Sequence, residues 1–409
     1  MGIISERTSQ NQSGKYIDLK KRFIEIYGGS ADDLRTFAAP GRVNLIGEHI
    51  DYCGGYVFPA AISLDTTIIA RARTDRLINL AATDLPDRIS MQLDQLEKGK
   101  ALRWGNYQLG VANEMQLSGF QLTGVDLLYH DTVPLGAGLS SSAAIQLATA
   151  ITLATLGNEH AGIGKPIDLV QLAIICQQAE HNYVGVQCGI MDQITSAIGK
   201  KDHAILLDCK TLAYEYVPLT LGIYCLVLAN TKKKRSLGES KYNERVAETQ
   251  AGLEIMQKFL PGRLSLCEIN VWEFEQYKDQ IDPVIRKRVE HVVKENARVK
   301  TACQALKAND LPAFADLLNQ AQVSIHELYE VTGFELDTMV SEARKADGCI
   351  AARMTGAGFG GCTVNLVHKD SIKTFIQKTG ENYQAKTGIV PEFYVCEIGD
   401  GAREIILNK

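Results

Sequence analysis

The most constraining feature of this sequence is the segment 134–144, in which two glycines and three consecutive serines stand between an extended stretch and an apolar helix. Residues 125–129 before it are typical of a strand, and after Ser140, the predicted N-cap, an apolar helix runs to about Leu156. A glycine turn that opens into a helix presents unpaired N–H groups and the positive end of the helix dipole. The segment therefore predicts an α/β unit whose turn is either a phosphate site or a plain helix cap.

The rest of the chain mixes helices with strands. Further helices are predicted at residues 16–27, 104–117, 166–183, 336–346 and 371–379, and further strands at 35–39, 66–73, 89–93, 204–207, 214–217, 224–229, 349–354, 362–367 and 393–398. Residues 238–328 are predicted to be mostly helical, with breaks at Pro261 and Pro283. This is an α+β pattern with crossovers. Because 409 residues exceed the ~250–300 at which one core usually stops growing, we expect two domains, 1–218 and 219–409.

Composition narrows the classes of function. The net charge of −5 argues against a nucleic-acid-binding protein, which usually presents a basic domain or stripe. The basic run 232–235 is predicted to be a solvated loop. Residues 1–14 lack the apolar run of a signal peptide, and no stretch approaches the ~20 apolar residues that cross a bilayer. The ten cysteines include no C-x-x-C pair, which argues against a zinc ribbon and, with no export signal, against a disulfide framework. From these observations together we expect a reduced, cytoplasmic protein that binds neither nucleic acid nor membrane.

Two further segments concentrate glycine and polar side chains. Residues 356–361 hold four glycines in six positions, which is more than a hairpin turn needs and suits a loop that lies flat against phosphates or against a partner loop. Residues 42–55 crowd Arg, Glu, His, Asp and Tyr into a stretch punctuated by glycine. An exposed polar loop would explain this second segment, and so would a carbohydrate site, which needs fixed hydrogen-bonding partners for sugar hydroxyls.

Two carboxylates stand in apolar surroundings. Asp192 is the acidic residue of an otherwise apolar, glycine-containing turn, and Glu180 lies on an apolar helix face beside Ala179 and Cys176. A carboxylate in such a place is costly unless a cation or a metal ion pairs with it. The remaining histidines show no metal-ligand spacing and are expected to be ordinary residues: His130, His160, His203, His291, His326 and His368.

Together these segments resemble the galactokinase branch of the GHMP small-molecule kinases. The serine-rich turn and the late glycine loop are typical of the superfamily, whereas Glu-His-x-Asp-Tyr from Glu48 and Cys-Gly-Ile-Met-Asp-Gln from Cys188 are similar to the galactokinase branch. The match extends at least from Ala38 to Leu366. It implies a two-domain α+β GHMP kinase fold, with an N-terminal α/β domain of the ribosomal protein S5 domain 2-like type, which binds sugar and ATP, and a C-terminal ferredoxin-like α+β domain.

The same resemblance implies an ATP-dependent sugar 1-kinase that transfers the γ-phosphoryl group to the anomeric O1 of α-D-galactose. Its partners would be galactose and ATP, its cofactor Mg²⁺, and its state a monomer or weak oligomer. Asp192 would be the catalytic base, Arg42 would stabilise the transferring phosphoryl group, and Ser142 and Glu180 would hold Mg²⁺. The phosphates of ATP would bind at Gly136, Ala137, Gly138, Leu139, Ser140, Ser141 and Ser142, and the sugar at Glu48, His49, Ile50, Asp51, Gly189 and Tyr242.

Two positions depart from the family pattern: Ile50 stands where Thr is usual, and Cys53 where Asn is usual. Neither is expected to touch the reacting oxygen, so both bear on sugar selectivity. The same residues would serve an N-acetylgalactosamine or pentose kinase of this branch. A sugar- and ATP-sensing protein without activity is a further alternative, but such relatives lose part of the Ser-Ser-Ser-Ala-Ala run, which is intact here, and Asp192 is also present.

Overall fold

The fold is taken from a computed structural model, which describes residues 12–102, 104–233 and 238–406. Residues 1–11, most of the N-terminal segment in which no signal peptide is expected, lie outside the described residues. The same holds for residues 234 and 235 of the basic run. Within the described ranges no helix has both the length and the apolar character needed to cross a membrane.

The strands are β1 (Arg35–Asn44), β2 (Tyr56–Val57), β3 (Pro59–Arg73), β4 (Leu77–Ala82), β5 (Ile89–Gln92), β6 (Gly124–Asp131), β7 (His203–Asp208), β8 (Tyr214–Pro218), β9 (Tyr224–Asn230), β10 (Cys349–Thr355), β11 (Cys362–His368), β12 (Glu392–Cys396) and β13 (Arg403–Glu404). The helices are α1 (Gln12–Tyr27), α2 (Asn106–Leu117), α3 (Ser141–His160), α4 (Leu169–Ala179), α5 (Met191–Ile198), α6 (Gly238–Gln257), α7 (Val271–Tyr277), α8 (Pro283–Lys307), α9 (Leu311–Ser324), α10 (Phe334–Lys345) and α11 (Ile372–Thr387).

The first half of the chain supplies most of a six-stranded sheet in the order β13-β1-β3-β6-β4-β5. Neighbouring strands are antiparallel except β4 and β6, which run parallel. Helix α3 packs against β1 and β3, and Phe23 of α1 packs with Ile69 and Leu128 of β3 and β6. Because helices cover the sheet, β1 and β3 are apolar along much of their length rather than alternating.

The register of β1 shifts between Pro40 and Arg42, so the strand bulges there. The residue between them is Gly41, where a Cβ atom would lie 2.6 Å from the carbonyl oxygen of Leu139. The glycine therefore lets the serine-rich turn approach β1 closely, and the Arg42 N–H donates to the Leu139 oxygen at 3.1 Å. The bulge brings Arg42 beside the turn that precedes α3.

The second half builds a four-stranded antiparallel sheet in the order β10-β11-β9-β12. Helices α10 and α11 pack against it through a cluster that includes Val227, Met339 and Phe375. A smaller sheet, β2-β7-β8, adjoins the first half. The last strand, β13, returns to pair with β1 at the edge of the first sheet, with Phe37 opposite Glu404. The division at Pro218, the last residue of β8, stays a prediction.

The predicted helix at 166–183 differs from the structure at both ends. It begins at Leu169 because the Asp168 carboxylate accepts the N–H groups of Val170 and Gln171, which makes Asp168 and not Pro166 the helix start. At its other end the helix passes directly into a π-helical turn, Glu180–Val184. Such turns are rare and occur frequently at functional sites, and this one begins at a predicted metal ligand.

Candidate active site

One cavity of about 850 Å³ collects residues from all the segments that the sequence singled out. Its walls come from β1 and the loop that follows it, from the starts of α3 and α5, from α6 and from the late glycine loop. The predicted site residues that line it are Arg42, Glu48, His49, Asp51, Gly136, Ser142, Glu180, Gly189, Asp192 and Tyr242.

Arg42 and Asp192 form a bidentate ion pair at the centre of this cavity. Arg42 Nε donates to Asp192 Oδ1 at 2.7 Å, and Nη2 donates to Oδ2 at 2.8 Å. The third nitrogen, Nη1, donates to the carbonyl oxygen of Gly138 at 2.6 Å. Because the guanidinium is planar and almost completely buried, these bonds fix both its plane and the orientation of the carboxylate. One arginine thus connects the proposed base to the serine-rich turn.

Ser140 has the position of an N-cap, as predicted, but it does not act as one. Its backbone is left-handed, with φ 60°, and no side-chain cap bond is made to α3. Its hydroxyl donates to Asp192 Oδ2 instead. The neighbouring side chains of Ala137 and Leu139 are buried and hold the turn in place, whereas Gly136 and Ser142 line the cavity. The turn therefore offers backbone and hydroxyl groups to a ligand rather than apolar side chains.

Glu48 lines the cavity and accepts hydrogen bonds from three protein groups. Its Oε2 accepts from Asn44 Nδ2 and from Arg353 Nη2, both at 2.6 Å, and its Oε1 accepts from the Gly356 N–H at 2.8 Å. Burial raises the pKa of the Glu48 carboxyl, while the Arg353 guanidinium and the Gly356 N–H oppose that shift. The carboxylate is thus a fixed acceptor whose position depends on residues of both halves of the chain.

His49 is held from both sides of its ring. Nε2 lies 3.1 Å from the carbonyl oxygen of Ala357, and Nδ1 lies 2.9 Å from the Tyr52 hydroxyl. Because a carbonyl can only accept, we assign the proton to Nε2, so that Nδ1 accepts from Tyr52. The Tyr52 hydroxyl is 2.7 Å from that of Tyr329, which extends the chain of hydrogen bonds. The ring of Tyr242 lies 5.5 Å from the His49 ring and forms the neighbouring wall.

Asp51, in the loop 44–55 that we call the sugar loop, lies against Gly189. A Cβ atom at position 189 would overlap Asp51 Oδ2, so only glycine fits beside this carboxylate. Burial, with a smaller contribution from the negative charge of Asp192, raises the pKa of the Asp51 carboxyl to about 6. The Asp51 carboxylate is therefore poorly stabilised as an anion, and a hydrogen-bonding ligand would stabilise it.

Ile50 is not brought into the cavity with the other predicted sugar residues. Its side chain is fully buried in the hydrophobic core, and its carbonyl oxygen accepts the N–H groups of Cys53 and Gly55. Cys53 is buried behind the same loop. Both departures from the family pattern thus support the loop from within. A side-chain contact of Ile50 with substrate has no basis in this geometry.

Glu180 and Ser142 line the cavity beside the serine-rich turn. Burial, together with the negative charge of Asp192, raises the pKa of the Glu180 carboxyl to about 7, and Gln193 Nε2 donates to its Oε2 at 2.8 Å. Among the described residues no group of three or more His, Cys, Asp or Glu could hold a metal ion. A carboxylate and a hydroxyl do fit Mg²⁺, which takes oxygen ligands and shares its coordination with nucleotide phosphates and water.

The late glycine loop contacts both the sugar loop and the serine-rich turn. Besides the Gly356 N–H and the Ala357 carbonyl already described, Gly356 packs so closely that a Cβ atom there would lie 2.8 Å from the Gly138 carbonyl oxygen. Gly358 and Phe359 continue the cavity wall. Of the two roles predicted for this loop, packing against a partner loop is confirmed by these contacts.

Sequence reasoning missed several residues that hold the site together. Arg353 and Asn44 bind Glu48, and His291, set aside as ordinary, contacts the carbonyl oxygen of Glu48 through Nε2 at 3.1 Å. Burial lowers the pKa of His291 to about 4, so the ring is neutral. A signal was available for Arg353, because an arginine inside the apolar run 349–354 requires a buried counter-charge. Asn44 and His291 carry no comparable signal.

Comparison with known proteins first gives the class. Residues 106–200 match the GHMP kinases N terminal domain, and residues 302–385 match the GHMP kinases C terminal domain. A solved structure of mevalonate kinase shares the fold with a TM-score of 0.62 at 19% identity, over 89% of this chain and 98% of that one. The fold and the domain matches together define a small-molecule kinase of the GHMP class.

The branch within that class follows from closer relatives. Residues 21–72 match the galactokinase galactose-binding signature. Galactokinase from Clostridium tetani is 46% identical, and the alignment covers 95% of this chain and 97% of that protein. Galactokinase from Enterococcus faecalis is 44% identical, and the alignment covers 95% of this chain and 99% of that protein. The crystal structure of Lactococcus lactis galactokinase complexed with galactose has a TM-score of 0.91 at 41% identity, covering 96% of this chain and 100% of that one. The chain belongs to the galactokinase family, and the predictions of a two-domain α+β GHMP kinase fold and of a sugar kinase are confirmed.

Proposed function

We propose that this chain transfers the γ-phosphoryl group of ATP to the anomeric O1 of α-D-galactose, giving α-D-galactose 1-phosphate and ADP, and that the cavity described above is the active site. The observation that carries the proposal is the Arg42–Asp192 pair. It lies between a cluster of polar groups suited to a sugar and a helix start suited to phosphates. Because ATP is the phosphoryl donor, we also propose that the enzyme acts in the cytoplasm.

Asp192 is the group that accepts the proton of O1. Phosphoryl transfer passes through a loose transition state, so the hydroxyl becomes acidic only as its bond to phosphorus forms. Arg42 and the Ser140 hydroxyl both donate to the Asp192 carboxylate before reaction, which fixes its orientation. Asp192 therefore orients the O1 hydroxyl first and takes its proton late, within roughly 2.6–3.2 Å of the oxygen.

Arg42 acts on the charge that spreads over the transferring group. Its guanidinium is positioned by the bulge in β1 and by the Gly138 carbonyl, so it need not reorganise during reaction. The N–H groups at the start of α3 add further positive potential toward the nucleotide phosphates. Ser142 and Glu180 would hold Mg²⁺, which neutralises phosphate charge when it is bound.

The sugar hydroxyls would be fixed by Glu48, Asp51 and Tyr242, with His49 as part of the binding surface and Gly189 leaving room beside Asp51. Since both ring nitrogens of His49 contact protein groups, its part is to form the wall and to hold the loop. A site whose buried polar groups match an axial 4-hydroxyl leaves them unpaired when that hydroxyl is inverted. We therefore expect glucose to be rejected strongly.

The test is a coupled assay of ADP release with MgATP and four acceptors: galactose, glucose, N-acetylgalactosamine and arabinose. We expect galactose to have the highest kcat/KM, and NMR of the product to place the phosphate on O1 with α configuration. A comparable kcat/KM for glucose, a preference for N-acetylgalactosamine, or sugar-independent ATP hydrolysis without a sugar phosphate would contradict the proposal.

A further inference from the structure

Arg353, a residue of the second half, is fully buried and reaches across to the first half. It is 0% exposed in the middle of β10. Its Nη2 donates to Glu48 Oε2 at 2.6 Å, and its Nη1 donates to the carbonyl oxygens of Leu45 at 2.8 Å and of Asn44 at 3.1 Å. One side chain therefore binds both the carboxylate and the backbone of the loop that carries it.

Other residues of the second half bind the same short loop. The Gly47 N–H donates to Glu295 Oε1 at 3.0 Å, and the Asn44 N–H donates to the Thr355 hydroxyl at 3.2 Å. Arg353 differs from these in carrying a charge that opposes that of Glu48. Removing one partner of a buried ion pair leaves the other charge uncompensated, which is strongly unfavourable. Without Arg353 the Glu48 carboxyl would take up a proton or move, and it would no longer accept two bonds at one oxygen.

We propose that Arg353 is a positioning residue for sugar recognition, which keeps Glu48 ionised and aimed as the acceptor for one galactose hydroxyl. The inference rests on the proposed function, because it requires Glu48 to face a bound sugar. Arg353 itself does not line the cavity and touches no reacting group. Its effect on the sugar is therefore indirect, and we expect it to fall mainly on the hydroxyl that Glu48 accepts.

The experiment uses Arg353→Lys, which keeps a positive charge but replaces the two fixed guanidinium nitrogens, one on Glu48 and one on the two carbonyl oxygens, by a single ammonium nitrogen. Calorimetry gives Kd for galactose and for 2-, 3-, 4- and 6-deoxygalactose in this variant and in the unmodified chain. We expect Kd for galactose to rise roughly 10- to 100-fold, the usual effect of losing a charged hydrogen bond. For one deoxy sugar, the one that lacks the hydroxyl bound by Glu48, the two proteins should bind nearly equally.

A structural defect alone would weaken binding of all five sugars by a similar factor, and that outcome would overturn the proposal. A rise in KM for ATP as large as the rise in Kd for galactose would also overturn it. Arg71→Met is the matched control, since Arg71 also pairs with a buried carboxylate, Asp126, and neither residue lines the cavity. It should lower thermal stability without changing the sugar Kd values.

If Arg353→Lys does not fold, Asn44→Ala replaces it, because Asn44 Nδ2 donates to the same Glu48 oxygen. The same selective pattern is then expected with a smaller rise in Kd, and a uniform rise would again overturn the proposal. The unmodified chain separates this inference from the proposed function. If the unmodified chain does not phosphorylate galactose, the proposed function is wrong. If it phosphorylates galactose but the deoxy sugars show no selective pattern, only the role of Arg353 is wrong.

Discussion

The two loops that meet at Asp192 are built in opposite ways. The sugar loop, residues 44–55, is anchored at almost every polar group, with Glu48 1% and His49 5% exposed. The serine-rich turn, residues 134–142, is open at its tip, where Leu135 is 74% exposed and a Cβ atom at Gly136 would meet nothing within 4 Å. One loop is fixed by the protein before any ligand arrives, whereas the other is held at residues 137–140 and has room to adjust at its tip.

This difference matches what each loop must recognise. Discrimination between hexoses depends on buried polar groups that stay in place when the wrong sugar leaves them unpaired. Phosphates are bound mainly by charge and by backbone N–H groups, which tolerate small changes in loop position. We infer that selectivity for the sugar is set by the packing between the two halves of the chain, and that the nucleotide itself completes its own side of the site.

The largest effect is expected at the junction of the two loops. Asp192→Asn should lower kcat roughly 10²- to 10⁴-fold, the usual contribution of acid–base catalysis, because the amide cannot accept the O1 proton. Both substrates should still bind, as measured by calorimetry. Ser140→Ala is the control, since it removes one bond to Asp192 but leaves the Arg42 pair, and its loss should be much smaller. Near-normal turnover of the Asn variant would remove Asp192 from the mechanism.

A pair of glycine substitutions compares the two loops directly. Gly189→Ala places a Cβ atom on Asp51 Oδ2, and because the anchored loop cannot yield, Kd for galactose should rise roughly 10- to 100-fold. Gly136→Ala meets open space but must adopt φ +68°, so it should lower stability by about 1–2 kcal/mol and change KM for ATP little. Calorimetry, steady-state kinetics and thermal unfolding report these quantities. Equal effects on the two ligands would contradict the contrast between the loops.

A smaller effect is expected from the proposed metal ligands on the open side. Glu180→Ala and Ser142→Ala should each raise the Mg²⁺ concentration for half-maximal rate by roughly tenfold, the scale of one lost charged or polar ligand. Galactose affinity should stay nearly unchanged, because neither residue belongs to the sugar loop. A titration of rate against Mg²⁺ at saturating substrates measures the change. Wild-type Mg²⁺ dependence in both variants would show that the metal is held elsewhere.

The smallest effect is expected on the pH dependence of stability, through Asp51 in the sugar loop. The pKa of Asp51 is raised from 3.8 to about 6, so its anion is less favourable in the folded than in the unfolded chain. The resulting loss of folding stability is absent below pH 3.8, grows as the pH rises and is complete above about pH 6. The Tm of Asp51→Asn, relative to the unmodified chain, should therefore increase from pH 4 to about pH 7. A flat difference across this pH range for Asp51→Asn would contradict the expected shift.

The chemistry of the site was more predictable than its support. Arg42, Asp192 and Glu180 could be identified because charged residues in glycine-punctuated or apolar stretches need a partner or a ligand. The partners of the sugar loop come from residues more than 240 positions away, such as Glu295 and Arg353, and no local pattern pairs them. The two-residue strand β13 was missed for the same reason, since its partner β1 lies at the other end of the chain. Ile50 was predicted as a sugar-binding residue because it lies inside the motif, but its side chain is buried in the core. The motif alone does not tell which of its side chains contact the ligand and which support the loop.

The central claim, that the sugar loop is fixed and the tip of the serine-rich turn has room to adjust until nucleotide binds, can be tested by hydrogen exchange on the unmodified chain. Without ligands, amides in residues 44–55 should exchange slowly and those at the tip, residues 135 and 136, quickly, because exchange follows the stability of local hydrogen bonding. Galactose should then change the sugar loop little, and MgATP should slow exchange at the tip strongly. Fast exchange of the sugar loop that galactose suppresses, together with a tip already protected without nucleotide, would contradict the account.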